Sequence, residues 1–319
     1  MTAVGRARAT RAAKAAPPSP TPTGPATVLE RRYRRLMLAY PRPYRTAHGD
    51  ELIDVLLESA DPGRTVPVPR EAWGLLLGGV RSRVVHQARG NPWADGLHLA
   101  VTAVAAANLA TLLPYAGALP LWTLLSALAL LAIQRGRVRA ALPLTLLTGA
   151  KAVAIASGRL LFDLTLVPVY PSALSDQALF EFSDPLVVAS GYLVTLAGLL
   201  ALSTRPSPRR ARSWWWWAAV PVAAWAGPHW LADDSQLPLS LSRMAVEMAV
   251  FGLAVAFAAL ARDHRWALAS GIYLAVTSGW LISRVESLTD QHLAYWALLA
   301  LLALGAAAAP FRQRRHCLD

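Results

Sequence analysis

Apolar positions change their pattern near residue 95. Before it, over residues 28–90, they recur at helical spacing; after it, they run in long uncharged blocks. A helix needs about twenty such residues to cross the hydrocarbon core of a bilayer, and somewhat fewer when flanking side chains snorkel. On that ruler the blocks predict eight membrane helices, at 96–115, 118–134, 140–158, 185–203, 214–231, 244–261, 266–283 and 293–310. The first two are separated by little more than Tyr115-Ala116-Gly117, which predicts a tight helical hairpin with Pro114 and Pro120 at its turn.

The earlier stretch predicts three short amphipathic helices. Leu29, Tyr33, Leu36 and Tyr40 share one face, with Arg31, Arg32, Arg34 and Arg35 around the rest, and Pro41 and Pro43 end that helix. A second carries Leu52, Val55 and Leu56 and stops at Asp61-Pro62-Gly63. A third starts near Pro69, with Trp73, Leu76, Leu77, Val80 and Val84 on a stripe opposite Arg70, Arg81 and Arg83. Burying these stripes against one another predicts a three-helix module over 28–90. So small a unit gains by resting on a membrane surface or a partner. Residues 1–27 hold Arg6, Arg8, Arg11 and Lys14, a Pro/Ser/Thr run and no acid, which predicts a disordered tail.

Composition fits this division: 55% of the 319 residues are hydrophobic, 16% are charged and mean hydropathy is +0.37. The net charge of +12 would suit nucleic-acid binding if it lay on one soluble face, but the basic residues flank the apolar blocks instead. With the N-terminus inside, the cytoplasmic connections carry Arg135, Arg137, Arg139, Arg205, Arg209, Arg210, Arg212, Arg262 and Arg265, and residues 312–319 form a basic tail. The outer connections hold Arg159, Arg243 and Arg284 against Asp163, Asp176, Glu181, Asp184, Asp233, Asp234, Glu286 and Asp290. This alternation predicts an all-α polytopic bundle over 95–311 with both termini cytoplasmic. The four indoles Trp214, Trp215, Trp216 and Trp217 follow the most basic connection and read as membrane-interface anchors, since consecutive residues point all round a helix.

Tyr33-Arg34-Arg35, Tyr40-Pro41-Arg42-Pro43-Tyr44-Arg45 and His48-Gly49-Asp50-Glu51-Leu52 form a distinctive run. It resembles the small cytoplasmic helical module that precedes the membrane part of many actinobacterial integral membrane proteins of unassigned function. It is also similar to the permease-prefix modules of some ABC-type permeases. The likeness covers about residues 29–85, under a fifth of the chain. It implies an interaction module, with Tyr33, Tyr40, Tyr44, His48 and Glu51 as candidate partner-contacting residues, and carries over no catalytic residue. High use of Ala, Arg, Leu and Pro suits a GC-rich genome and agrees with an actinobacterial plasma membrane.

Candidate chemistry inside the bundle is sparse. An ionisable group in lipid costs about 2.5–3.5 kcal/mol on insertion scales, so each is a functional candidate. Lys151 falls near the middle of the third predicted span and Glu247 inside the outer end of the sixth. Their depths differ by roughly 7 Å, which a lysine can span, and a Lys151–Glu247 pair is expected. Arg159 and Asp163, one helical turn apart, are expected to pair locally. Asn108 and His229 are single polar groups suited to interhelical hydrogen bonds. His48 with its neighbouring acids points around a helix, not at one ion, and Cys317 is the only cysteine, which excludes an internal disulfide. No residue pattern for an enzyme, a cofactor or a metal is present. A short likeness between Ala156-Ser157-Gly158 and Thr277-Ser278-Gly279 hints that the last four spans repeat the first four.

Two functional classes fit. One is a membrane-anchored interaction or regulatory protein whose module, about residues 29–88, recruits a cytoplasmic partner. The alternative is a transporter or permease-like component with a Lys151/Glu247 polar site. A polar cavity reaching the midplane separates the second from the first.

Overall fold

A computed structural model describes residues 27–61, 63–87, 91–163, 165–171, 177–181, 183–204, 211–226, 241–283, 286 and 288–315, side chains at 87, 280, 283 and 312–315 aside. The predicted tail (residues 1–26 of it), His229 and Cys317 lie outside the described residues. Among the described residues every regular element is helical. The chain forms two compact units that divide between Val80 and Arg81.

The first unit comprises α1 (Val28–Leu36), a 3-10 turn (Met37–Ala39), α2 (Arg42–Glu58) and the first part of α3 (Pro69–Gln87). Thr27 caps α1 by accepting the Glu30 amide at 3.2 Å. Leu29, Tyr33, Met37, Tyr40, Ile53 and Leu75 make the core. The Tyr33 hydroxyl donates to Glu71 Oε2 at 2.7 Å; burial first, then this bond, pushes its pKa up to about 12.

Helix α3 turns a different face inward from the one its apolar stripe predicts. Glu71, Leu75, Gly78 and Gly79 (i, i+4, i+7, i+8) face the core, and a Cβ at Gly79 would come within 2.5 Å of the Ala39 Cβ. A Cβ at Gly78 would collide with the Tyr40 hydroxyl. The glycines let α3 approach the 3-10 turn closely, so this face wins over the bulkier one. Trp73, Leu76, Leu77 and Val80 are left exposed, while Val84 alone of the predicted stripe is buried.

The second unit holds the rest of α3 and α4 (Pro92–Leu112), α5 (Pro120–Gln134), α6 (Val138–Ala156), α7 (Pro185–Ser203), α8 (Trp215–Ala226), α9 (Leu241–Ala261), α10 (Arg265–Ser283) and α11 (Asp290–Arg315). Among the described residues each apolar block contains one of these helices. Pro92, Pro120 and Pro185 open their helices, where a missing amide hydrogen costs nothing. Asn91 and Asp184 cap α4 and α7. Five helical segments are long and apolar enough to cross a membrane: Pro92–Tyr115, Val138–Ala156, Pro185–Ser203, Leu241–Ala261 and Asp290–Phe311. Helix α5 is apolar but shorter.

Helix α4 is the hub, packed against α5, α7, α8 and α10. Of its most apolar stretch 67% is buried, against 17% for α11. The outward faces carry Leu124, Leu146, Leu193, Leu253, Leu301 and Leu304, all exposed. A surface of leucines is unfavourable in water and unremarked in lipid. Gly149 brings α6 against α7, where an added Cβ would meet the Tyr192 ring at 2.9 Å.

The hinted repeat is not carried into local structure. Gly158 adopts φ +67 just beyond the end of α6, whereas Gly279 lies inside α10. Helix α9 also packs on α11, a contact with no α5–α7 counterpart among the principal helix pairs.

Candidate functional site

Beyond Gly158 the chain folds back over one end of α5 and α6 instead of extending α6. Val169 and Leu179 join Leu112, Tyr115, Leu119, Trp122 and Ile155 in an apolar cluster, and the Leu179 amide donates to the Val169 carbonyl at 2.8 Å. The Tyr115 hydroxyl donates to the Gln177 carbonyl at 2.8 Å. This return places Asp163 beside Lys151.

Lys151 Nζ donates to Asp163 Oδ1 in an ion pair and to the Leu161 carbonyl at 2.9 Å. The ammonium also lies 5.5 Å from the centre of the Trp122 ring. Asp163 accepts from Trp122 Nε1 at 2.6 Å and from the Thr165 hydroxyl and amide at 2.5 and 3.2 Å. Partial burial pushes the Asp163 carboxyl up, but the bonds from Lys151, Thr165 and Trp122 outweigh it and hold it well below the usual carboxylate range.

Glu247 meets other groups. Its Oε1 accepts from Arg243 Nε at 3.1 Å and from the Tyr273 hydroxyl at 3.3 Å; Oε2 accepts from the Tyr295 hydroxyl at 2.6 Å. Helices α9, α10 and α11 therefore converge on one carboxylate, with Phe251, Leu274 and Leu299 packed beside it. The expected Lys151–Glu247 pair is not formed, because each group is satisfied within its own region of the bundle. The Arg159–Asp163 pair is not formed either. Helix α6 stops at Ala156, so one-turn spacing no longer holds, and Asp163 takes Lys151.

A third cluster lies where the N-termini of α4 and α10 meet the C-terminus of α5. Asp95 pairs with Arg265 and with Arg212 at 2.7 Å, and Arg265 also pairs with Asp263 at 2.7 Å. Arg212 Nε reaches His98 Nδ1 at 3.2 Å, and His98 Nε2 reaches the Ile133 carbonyl at 2.7 Å. A guanidinium only donates, so His98 accepts at Nδ1 and keeps its proton on Nε2. The Arg212 amide donates to the Gln134 carbonyl at 2.8 Å, which satisfies another terminal carbonyl of α5. Sequence reasoning read these arginines only as topology signals. The available clue was that Asp95 and Asp263 are acids beside otherwise basic connections.

The four indoles divide by direction. Trp214 and Trp215 are exposed, with Arg135 over the Trp214 ring at 5.4 Å. Trp216 and Trp217 are half-buried against the bundle core. Asn108 makes no side-chain hydrogen bond among the described residues. A groove of about 300 Å³ between α4, α7 and α10 is lined by Leu97, Val101, Val104, Val194, Gly198 and Ile272 among others, and is apolar. Among the described residues no three His, Cys, Asp or Glu side chains could hold a metal ion.

No family model, curated protein or solved structure matches this chain. What it does is therefore argued from its own geometry, and the module supplies the clearest surface.

Two of the five candidate contact residues are core. Tyr33 and Tyr40 are buried and hold the module together. Tyr44, His48 and Glu51 are exposed, and with Val55 and Glu58 they form one stripe of α2 at i, i+4, i+7, i+11 and i+14. Tyr44 stacks on Tyr40 at 4.9 Å and meets His48 in a tilted contact at 5.2 Å between ring centres, which fixes the aromatic end of the stripe. The opposite face of α2, with Gly49 and Ile53, is buried.

Proposed function

We propose that this chain is a multi-pass protein of the cell membrane with eight crossings and both termini cytoplasmic. It acts as a membrane-anchored interaction protein through residues 29–88. Exposed leucines on α5, α6, α7, α9 and α11 and the arginine-rich inner connections support the membrane placement. The observation that carries the interaction role is the exposed Tyr44–His48–Glu51–Val55–Glu58 stripe. Its Val55 and Tyr44 side chains and its acids Glu51 and Glu58 are exposed together, and it suits a partner presenting a basic, partly apolar surface. The transporter alternative has less support, since Lys151 and Glu247 take separate partners and the groove between α4, α7 and α10 is apolar.

Two experiments test this. On a Cys317→Ser background, Arg137→Cys should react with impermeant maleimide only after cells are opened, and Gln177→Cys in intact cells; the same compartment for both would refute the topology. Purification in mild detergent should recover a partner with the native chain and lose it with Tyr44→Ala/Val55→Asp. Equal recovery from both would refute the role of the stripe.

A further inference from the structure

The module has a second outward face, with different chemistry. On α3, Trp73, Leu77 and Val80 lie at i, i+4 and i+7, exposed by 64%, 53% and 43%, with Leu76 beside them. At 100° per residue this stripe is centred almost opposite the face that Leu75 and Glu71 turn to the core. Arg70 and Arg81 flank it on one edge and Arg83 on the other, all exposed. Glu71, the only acid of α3, is turned away toward Tyr33.

We propose that this face of α3 lies on the anionic cytoplasmic leaflet, with the tryptophan and leucines among the upper acyl carbons and the arginines at the phosphates. It rests on the cytoplasmic placement of the module given above. Three observations select lipid over a protein partner. The apolar stripe is bordered by arginine on both edges, the arrangement that matches a plane of negative charge bounding hydrocarbon. No acid stands on that face to be repelled. Only residues 88–91 separate the end of α3 from the start of α4, so the chain itself keeps the face within reach of a bilayer. The α2 stripe, with Glu51 and Glu58, carries the sign that such a surface repels.

Full-length Cys317→Ser protein carrying Leu77→Cys or Glu51→Cys is labelled with a nitroxide and placed in nanodiscs of mixed phosphatidylglycerol and phosphatidylcholine. The label at 77 should be accessible to oxygen and shielded from a water-soluble nickel complex, and the label at 51 should show the reverse. Arg70→Gln and Arg81→Gln, both at exposed positions, should each lower the docked-to-free ratio at 77 about fivefold. Replacing phosphatidylglycerol by phosphatidylcholine should lower it further. A label at 77 as open to nickel as that at 51 overturns the proposal. So does one shielded from both reagents, which would mean contact with protein, such as a second copy. This readout is independent of which way the chain crosses the membrane; a wrong topology is detected by the maleimide labelling in cells.

Discussion

Lys151 and Glu247 are both buried, both ionisable and both held by several partners, yet they are neutralised in opposite ways. Lys151 belongs to a bundle helix but depends on a loop, because its one counter-charge is Asp163, twelve residues along the chain. Glu247 depends on neighbouring helices, with a phenol from α10, another from α11 and an arginine one turn back on α9. A charge with one counter-ion is vulnerable at a single position. A charge shared among three donors loses only a part with each. The first arrangement fastens a loop to the bundle; the second fastens three helices to each other.

The largest effect is therefore expected at Asp163. Asp163→Ala leaves an ammonium whose side chain is 2% exposed without a counter-charge; removing one member of a fully buried pair costs about 3–5 kcal/mol, and with Asp163 itself 36% exposed the loss should fall at the lower end of that range. Thermal unfolding in detergent should show this loss, and Lys151→Met on the same background should restore most of it. If the single and double variants unfold alike, the pair does not hold the loop. Acid should act in the same direction. The folded Asp163 carboxyl titrates below its ordinary value of 3.8, so its contribution is complete above that value and is lost as pH falls below it. Asp163→Asn should flatten that part of the pH profile; an unchanged acid limb would contradict the assignment.

Next in size is Tyr295→Phe. The phenol donates to Glu247 Oε2 at 2.6 Å, and a hydrogen bond to a charged group contributes about 1.5–3 kcal/mol. The loss should stay below that of Asp163→Ala, because Arg243 and Tyr273 still reach the other oxygen. A loss equal to or larger than the Asp163 effect would mean that the three donors act as one unit and the contrast drawn above is false.

Much of this fold is legible in the sequence, and the parts that are not share a cause. Blocks of apolar residues opened by Pro92, Pro120 and Pro185 mark their helices because apolarity and the chemistry of proline are local properties. The three short helices α1, α2 and α3 are legible for the same reason. Partner choice is not local. Arg159 and Asp163 look like a helical pair until Gly158, in a left-handed conformation, ends the run and sends Asp163 back to Lys151. Tyr273 and Tyr295 look like ordinary aromatics until three helices bring their hydroxyls to one carboxylate. On α3, side-chain bulk points to burial of the face that the structure leaves exposed. Close approach at Gly78 and Gly79 decided it instead.

The smallest effect, and the sharpest reading of shared neutralisation, is expected at Tyr273→Phe. Its hydroxyl stands 3.3 Å from Glu247 Oε1, the oxygen that Arg243 already serves at 3.1 Å. The bond is long, the acceptor keeps a charged donor, and the ring keeps its edge contact with Phe251 at 6.1 Å between centres. The loss should be about 0.5–1 kcal/mol, within the range of an ordinary neutral bond. Removing Tyr273 and Tyr295 together should cost more than the sum of the single losses if the phenols share one charge, since the second removal leaves the carboxylate with Arg243 alone. Strict additivity in that double-mutant cycle would show two independent bonds, and Glu247 would then resemble Lys151 after all, held essentially by one opposite charge.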